Sequence, residues 1–276
     1  MRTVWYIDAC ARYSSLRDPL QEGSQFRQSL GFLIMRARHP DHSKLPLGLA
    51  FVALWALLRA QRRFVAAFAA VGLFGLTLSV ARYGIAPHIE YLDVLRFLTQ
   101  HGESFWPNQS VNGLLHRWLG NGHNLTFYTP GSEFWLEHFP PYHPAVYLCT
   151  VASSILLLLA ALRAPRRREE RGGPLDLAFA CIAATVAAPI AWTHHYGVLL
   201  PIFLIVYHAA HQRRLGNWFM AALAFCYLLA ANLSSSTRQL AATAWNPLQS
   251  YVLFAALGLM VLVAMARERG VAESDG

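Results

Sequence analysis

The chain has 276 residues, of which 55% are apolar and only 14% are charged, and its mean hydropathy is +0.31. Water-soluble globular domains carry about 25% charged residues, so the composition excludes that class and indicates a membrane protein. The formal net charge is +8. Most of the excess lies in short connections between apolar segments, as the positive-inside rule requires, so nucleic-acid binding is not expected.

The first 45 residues are polar and lack the basic start, apolar run and small-residue cleavage site of a signal peptide. The run from Arg27 to Met35 looks like the tail of an interrupted apolar helix. We therefore interpret residues 1–45 as the remnant of a longer region, which predicts an N-terminally truncated chain.

Seven apolar segments follow, each near the ~20 residues that a helix needs to cross the hydrocarbon core. The sequence predicts an all-α, polytopic membrane fold with about seven transmembrane helices. These form a domain of residues 46–266, and a tail of residues 267–276 follows. The segments are 46–60, 64–86, 144–162, 175–192, 196–210, 217–233 and 250–266.

Arginines cluster in every second connection between these segments. Because basic connections face the cytoplasm, this alternation predicts a multi-pass protein of the inner (plasma) membrane with its C-terminus inside. The clusters are Arg59, Arg62 and Arg63, then Arg163 to Arg171, then Arg213 and Arg214, then Arg267 and Arg269.

The connection of residues 87–143 is far longer than the others, and loops of this length are usually functional. We expect it to be external and to contain two amphipathic helices. Residues 89–98 have apolar side chains at helical spacing, typical of a helix along the membrane interface.

The second amphipathic stretch has an apolar stripe from Val111 to Leu119. Asn108, Asn112 and His116 recur every four residues on another face, which we expect to be accessible to solvent. The carboxylates of the same connection are likewise expected to be solvated. They are Glu90, Asp93, Glu103, Glu133 and Glu137.

His194 and His195 stand side by side at the end of an apolar segment. Thr193 is in position to cap a helix beginning at His194, which would place both imidazoles beside unpaired amides and favour an anion. The alternative is a pair of interfacial histidines bonded to lipid headgroups. No set of residues has metal-ligand spacing, so neither a metal nor a cofactor is expected.

Two segments of the chain resemble the polyprenol-phosphate-dependent glycosyltransferases of family 87, which include bacterial alpha-mannosyltransferases. The segment from Asn108 to Arg117 is similar to the family's Asn-Gln-Ser loop, and Pro189 to His195 is similar to its Pro-x-x-Trp-x-His-His segment. Lys44-Leu45-Pro46 also resembles a Lys-Pro element of the family. The resemblance extends over roughly residues 44–266.

The resemblance implies a GT-C glycosyltransferase that moves a hexose, mannose by analogy, from a polyprenyl phosphate to an envelope glycolipid or glycan acceptor on the outer membrane face. Substrate contacts then fall to His194, His195 and Arg117, and to the amides and hydroxyl of the Asn-Gln-Ser segment. Those further residues are Asn108, Gln109, Ser110 and Asn112.

The family also has a catalytic aspartate in an external loop after an N-terminal span. Neither Asp8 nor Asp18 follows such a span, so the catalytic base stays unassigned. Two alternatives remain open. A transporter or flippase would place ionisable groups within its spans, which here carry very few, and an inactive auxiliary subunit would not depend on its histidines.

Overall fold

A computed structural model describes residues 45–124, 139–163, 165, 170–231, 233–241 and 243–269. Every described residue lies in one compact unit of the chain, Asp41–Gly276. The predictions for the N-terminal segment, for Lys44 and for the aspartates at 8 and 18 fall outside the described residues, as do those for Glu133 and Glu137.

The described part of the chain is helical, and its only β-type contact is one isolated bridge between Asn108 and Trp192. The described residues form ten α-helices joined by turns, and three 3-10 helices lie among these turns: Thr193–Val198, Arg238–Leu240 and Asn246–Ser250. The α-helices are α1 (Leu45–Leu58), α2 (Arg62–Tyr83), α3 (Ala86–His101), α4 (Val111–Trp118), α5 (Pro144–Leu162), α6 (Pro174–Val186), α7 (Leu199–Gln212), α8 (Asn217–Ala230), α9 (Ser234–Thr237) and α10 (Tyr251–Arg269).

Three stretches within the described residues are long and apolar enough to cross a membrane. They are Arg62–Tyr83, Pro144–Leu162 and the helical stretch Asn246–Arg269. Pro174–Val186 and Asn217–Ala230 are apolar but shorter. These helices support the membrane class predicted from composition, whereas the number of seven spans and the external position of the 87–143 connection stay predictions.

Helix α10 is the centre of the bundle and packs against α6, α7 and α8. Its Leu253, Leu259 and Val263 are fully buried. Gly258 lets α8 approach closely, because a Cβ at this position would lie 2.8 Å from the Cys226 sulfur. Close packing through small residues is how helices associate in a membrane, where lipid is as apolar as leucine and burial from water contributes little.

The end of α6 determines where the candidate functional site forms. The sequence pattern predicts an apolar span over 175–192, but the helix ends at Val186. Pro189 has no backbone N–H and disfavours the helical conformation of the residue before it, so the helix cannot continue through it. The following residues are therefore free to pair with another part of the chain.

Candidate functional site

Residues 107–110 and 189–193 are about 80 residues apart in sequence, and their main chains are in contact. We call this contact the motif junction. The Gln109 N–H donates to the Ala191 carbonyl at 2.7 Å, and the Thr193 N–H donates to the Pro107 carbonyl at 3.1 Å. The Ala191 N–H in turn donates to Oδ1 of Asn108 at 2.9 Å. The structure thus brings together the two motifs singled out in the sequence.

The side chains of Asn108 and Ser110 also bind the main chain across this junction. Asn108 Nδ2 donates to the Glu103 carbonyl at 2.8 Å, and Ser110 Oγ donates to the Pro189 carbonyl at 2.7 Å. The same hydroxyl accepts from the Gly113 N–H at 3.1 Å and so caps α4. Each polar group here satisfies a backbone group that would otherwise be buried without a partner.

Gln109 ties the junction to the start of α10. Its Nε2 donates to the carbonyls of Trp106 and Gln249 at 2.7 and 2.8 Å, and its Oε1 accepts from the Val252 N–H at 3.1 Å. The Tyr196 hydroxyl donates to the Gln109 carbonyl at 2.5 Å.

The expectation of a solvent-accessible polar face on α4 is wrong. Asn108, Asn112 and His116 are buried, whereas Trp118 of the apolar stripe is 70% exposed. The polar face turns inward because it has internal partners. Asn112 Oδ1 accepts from the Glu103 N–H at 3.0 Å and its Nδ2 donates to Thr150 Oγ1 at 3.3 Å. Periodicity identified the two faces but did not show that the polar face is buried as well, since Val111 and Leu114 of the apolar stripe also pack against the core.

Arg117 is buried beneath the junction. Its guanidinium donates to the carbonyls of Ser104, Phe105 and Asn108, and to Ser250 Oγ at 2.6 Å. Burial lowers the pKa of Arg117 to about 9, against the opposing effect of the Glu103 carboxylate, so the side chain remains charged at neutral pH. The structure therefore places this cation among main-chain carbonyls.

Glu103 is the residue that sequence reasoning missed. It was expected to be solvated but is only 3% exposed, and its Oε2 accepts from the Trp192 indole N–H at 2.5 Å. The carboxylate can be buried because it has this donor and lies in the electrostatic field of Arg117. A loop glutamate carries no sequence signal for such a contact, since its partner belongs to the other motif.

The two histidines differ in their surroundings. His194 is exposed, and its ring centroid lies 4.2 Å from that of His195 and 5.8 Å from that of Trp192. His195 is half-buried, and its Nδ1 accepts from the Trp192 N–H at 2.8 Å. The accepting Nδ1 fixes the orientation of the His195 ring against the main chain of Trp192.

The expected helix start at His194 needs a correction. A 3-10 helix begins at Thr193, with Trp192 in the capping position, and it continues into α7. The capping contact comes from the His195 ring rather than from the Thr193 hydroxyl.

A cavity of about 530 Å³ opens beside the histidines. Its polar lining includes Thr193 and His194, but not His195. Most other lining residues are apolar or aromatic and come from α7, α8 and the start of α10. Among them, Leu200 is 59% exposed, so the cavity opens onto the apolar exterior of the bundle. The site therefore joins an imidazole to a surface suited to a lipid chain.

The sequence model of glycosyltransferase family 87 matches residues 44–192, which is more than half of the chain. The chain belongs to glycosyltransferase family 87. The match begins where the sequence resemblance predicts but ends at Trp192, before the histidine pair rather than near residue 266. The matched residues include both segments of the motif junction as far as Trp192.

A protein of Mycobacterium tuberculosis described as a polyprenol-phosphate-mannose-dependent alpha-(1-2)-phosphatidylinositol mannoside mannosyltransferase is 32% identical to this family 87 chain over 133 residues. The aligned region covers 44% of the chain and 31% of the relative. The chain thus matches about a third of the length of that protein. No solved structure matches the chain.

Among the described residues, no group of three or more His, Cys, Asp or Glu side chains could hold a metal ion. Within the same part of the chain, the structure brings Asn108, Gln109, Ser110 and Arg117 into one buried network with Trp192. His194 is the predicted site residue that lines the cavity.

Proposed function

We propose that this family 87 protein transfers a hexose, with mannose as the first candidate, from a polyprenyl phosphate to an envelope glycolipid or glycan acceptor. The reaction would take place on the outer face of the inner membrane. Family membership and the activity ascribed to the mycobacterial relative support the reaction class. The observation that carries the proposal is the cavity in which His194 adjoins an apolar, outward-opening wall.

A polyprenyl phosphate has two chemically distinct parts, and the cavity has a matching surface for each. The isoprenoid tail would lie on the wall that includes Leu200 and Phe203. The phosphate would lie at Thr193 and His194, whose hydroxyl and imidazole can donate hydrogen bonds. The volume of about 530 Å³ suits a headgroup and the first part of a tail, since ligand pockets span roughly 300–1,000 Å³.

In the proposed transfer, an acceptor hydroxyl oxygen forms a bond to C1 of the sugar. The bond between C1 and the phosphate oxygen breaks, and the lipid phosphate leaves with the bonding electrons. A carboxylate takes the hydroxyl proton, and hydrogen-bond donors stabilise the charge that grows on the leaving phosphate. We assign the second role to His194, and the neighbouring His195 holds the Trp192 N–H through its Nδ1.

The remaining predicted contacts receive a different role in this proposal. Asn108, Gln109, Ser110 and Arg117 are buried and already bound to main-chain atoms. We propose that they act on the substrate indirectly, by fixing the junction that positions Trp192 and the histidines. Asn112 contributes in the same way through its contacts with Glu103 and Thr150.

The test is His194→Ala, assayed for transfer of labelled mannose from polyprenyl-phosphate mannose in membranes. We expect a loss of about 100-fold at a fixed donor concentration, the scale found when one donor to a developing oxyanion is removed. His208→Ala is the matched control, because His208 is an exposed histidine of α7 outside the cavity. Both variants are normalised to their abundance in the membrane.

Equal transfer by the two variants would exclude this cavity as the donor site. If the wild-type chain, present in the membrane in the same amount, transferred no sugar, the auxiliary-subunit alternative would replace the enzymatic proposal. The transporter alternative gains no support from the comparisons, because the family that the chain belongs to is a glycosyltransferase family.

A further inference from the structure

At the opposite end of α6 from the motif junction lies a second buried cluster of charges. Asp176 is fully buried in the first turn of α6. Its Oδ2 accepts from Arg59 Nε at 2.6 Å and from the Gly172 N–H at 3.0 Å. Its Oδ1 lies 3.1 Å from an Nη of Arg267. Two buried guanidinium groups therefore share one buried carboxylate.

The two arginines are not equally satisfied by the surrounding protein. Arg59 also donates to the carbonyls of Leu162 and Arg163 at the end of α5, at 3.1 and 3.2 Å. Arg267 has the Asp176 contact and lies over the Phe179 ring, 5.0 Å from its centroid. A guanidinium has five N–H donors, so Arg267 retains donors that can bind another acceptor.

A smaller cavity of about 170 Å³ lies directly against this cluster. It is lined by Arg267, by Arg163 and by apolar residues that include Phe179. The neighbouring charges of the described residues do not cancel. Glu170 pairs with Arg213, and Glu268 is exposed at the cavity, so the carboxylates are outnumbered by the arginines around them. The arginines are Arg59, Arg163, Arg213 and Arg267, and the carboxylates are Asp176, Glu170 and Glu268.

We propose that this cavity binds one phosphate group between Arg163 and Arg267. Arg59 and Arg267 are buried against the single carboxylate of Asp176, and this excess of one buried positive charge is costly unless an anion compensates it. Planar guanidinium groups also match the geometry of phosphate oxygens. The phosphate belongs to an anionic phospholipid or to free inorganic phosphate, which share this chemistry. The site is separate from the histidine cavity and does not depend on the proposed sugar transfer.

The experiment uses the full chain purified in a neutral detergent and examined by native mass spectrometry. Phosphatidylglycerol and phosphatidylcholine are titrated in parallel, and we expect one phosphatidylglycerol to remain bound in preference to phosphatidylcholine. Arg163→Gln should weaken that binding about fivefold, the effect of about one basic residue near an anionic headgroup. Arg163 is exposed, so this change leaves the Asp176 cluster intact.

The matched control is Arg214→Gln, an exposed arginine of the α7–α8 connection that does not line the cavity. It should bind phosphatidylglycerol as the wild type does. A second variant, Arg267→Lys, keeps the charge beside Asp176 but loses the planar fork, and it should also weaken binding. These three variants separate the cavity from the general attraction of a basic protein surface for anionic lipid.

Inorganic phosphate is added in a separate titration to identify the source of the ligand. Displacement of phosphatidylglycerol by millimolar phosphate would support a site for the free ion, and retention of the lipid would support a lipid headgroup. The proposal is overturned if the two lipids bind equally, or if Arg163→Gln and Arg214→Gln have the same effect.

Discussion

At the scale of single residues, the polar side chains of the Asn-Gln-Ser segment serve mainly to satisfy buried main-chain groups. The side chains of Asn108 and Ser110 donate hydrogen bonds to the Pro189 carbonyl. This carbonyl lies beyond the end of α6, so it does not take part in a helical hydrogen bond. A sequence shows which residues are polar, but whether they meet substrate or backbone depends on a segment about 80 residues away. Sequence therefore identified the two segments that meet at the motif junction, and it missed how deeply their polar side chains are buried.

The buried His116 predicts a pH dependence of the stability of the folded protein. Burial lowers the pKa of His116 from 6.5 to about 4, and the positive charge of Arg117 acts in the same direction. In the unfolded chain this histidine takes up a proton near pH 6.5, so between pH 6.5 and 4 the unfolded state binds more protons. The stability of the folded protein is therefore complete above pH 6.5 and falls as the pH is lowered towards 4.

The expected loss over this interval is on the order of 3 kcal/mol, measured as the free energy of unfolding in detergent. His116→Gln should flatten this part of the pH profile, because glutamine does not titrate. His208→Gln, at an exposed position, should keep the wild-type slope. A His116→Gln profile as steep as that of the wild type would contradict the assignment.

At the scale of helices, sequence periodicity worked well where a helix is bounded by local signals. The span predicted over 144–162 is α5, Pro144–Leu162, which begins with a proline in its first turn after the capping His143. The span predicted over 175–192 instead ends at Val186, and its last residues become one side of the motif junction. Hydropathy cannot separate these cases, because a buried extended segment is as apolar as a helix.

Two helical glycines allow a matched test at this scale. A Cβ on Gly113 in α4 would lie 2.5 Å from the Asn108 carbonyl oxygen, whereas one on Gly72 in α2 would meet nothing within 4 Å. Gly113→Ala should therefore cost about 1–3 kcal/mol of unfolding free energy, since the backbone of the junction must move. Gly72→Ala should be neutral or stabilise by up to about 1 kcal/mol through helix propensity.

Thermal unfolding in the same detergent measures both changes. Gly113→Ala should also reduce sugar transfer, because the junction holds Trp192 beside the histidines. If alanine had the same effect at both positions, the close approach of α4 to Asn108 would not be present in the protein.

At the scale of the whole molecule, the arginine clusters predicted to share one membrane face do meet at one end of the bundle. Arg59 and Arg267 share Asp176, and Arg213 pairs with Glu170 and donates to the Ala266 carbonyl. The α6 helix of 13 residues is about 20 Å long, and this length separates the arginine end from the motif junction. That this end faces the cytoplasm stays a prediction.

Asp176→Asn tests how much this end contributes to stability. The change leaves two buried guanidinium groups without their carboxylate, and breaking a buried ion pair typically costs about 3–5 kcal/mol. We expect a loss of that size in the free energy of unfolding in detergent. Asp93→Asn, at an exposed position of α3, should change it by less than about 0.5 kcal/mol. Equal effects of the two changes would mean that the cluster is not formed.

The motif junction has a consequence for mutational scanning of this family. Substitutions at Gln109 or Ser110 should reduce the proposed sugar transfer at least as strongly as substitutions at His194, although the first two side chains bind the main chain and the third faces the cavity. A scan that records both membrane abundance and sugar transfer should separate these residues into two groups. Junction variants lose both signals together, while variants of cavity-facing residues lose transfer at normal abundance.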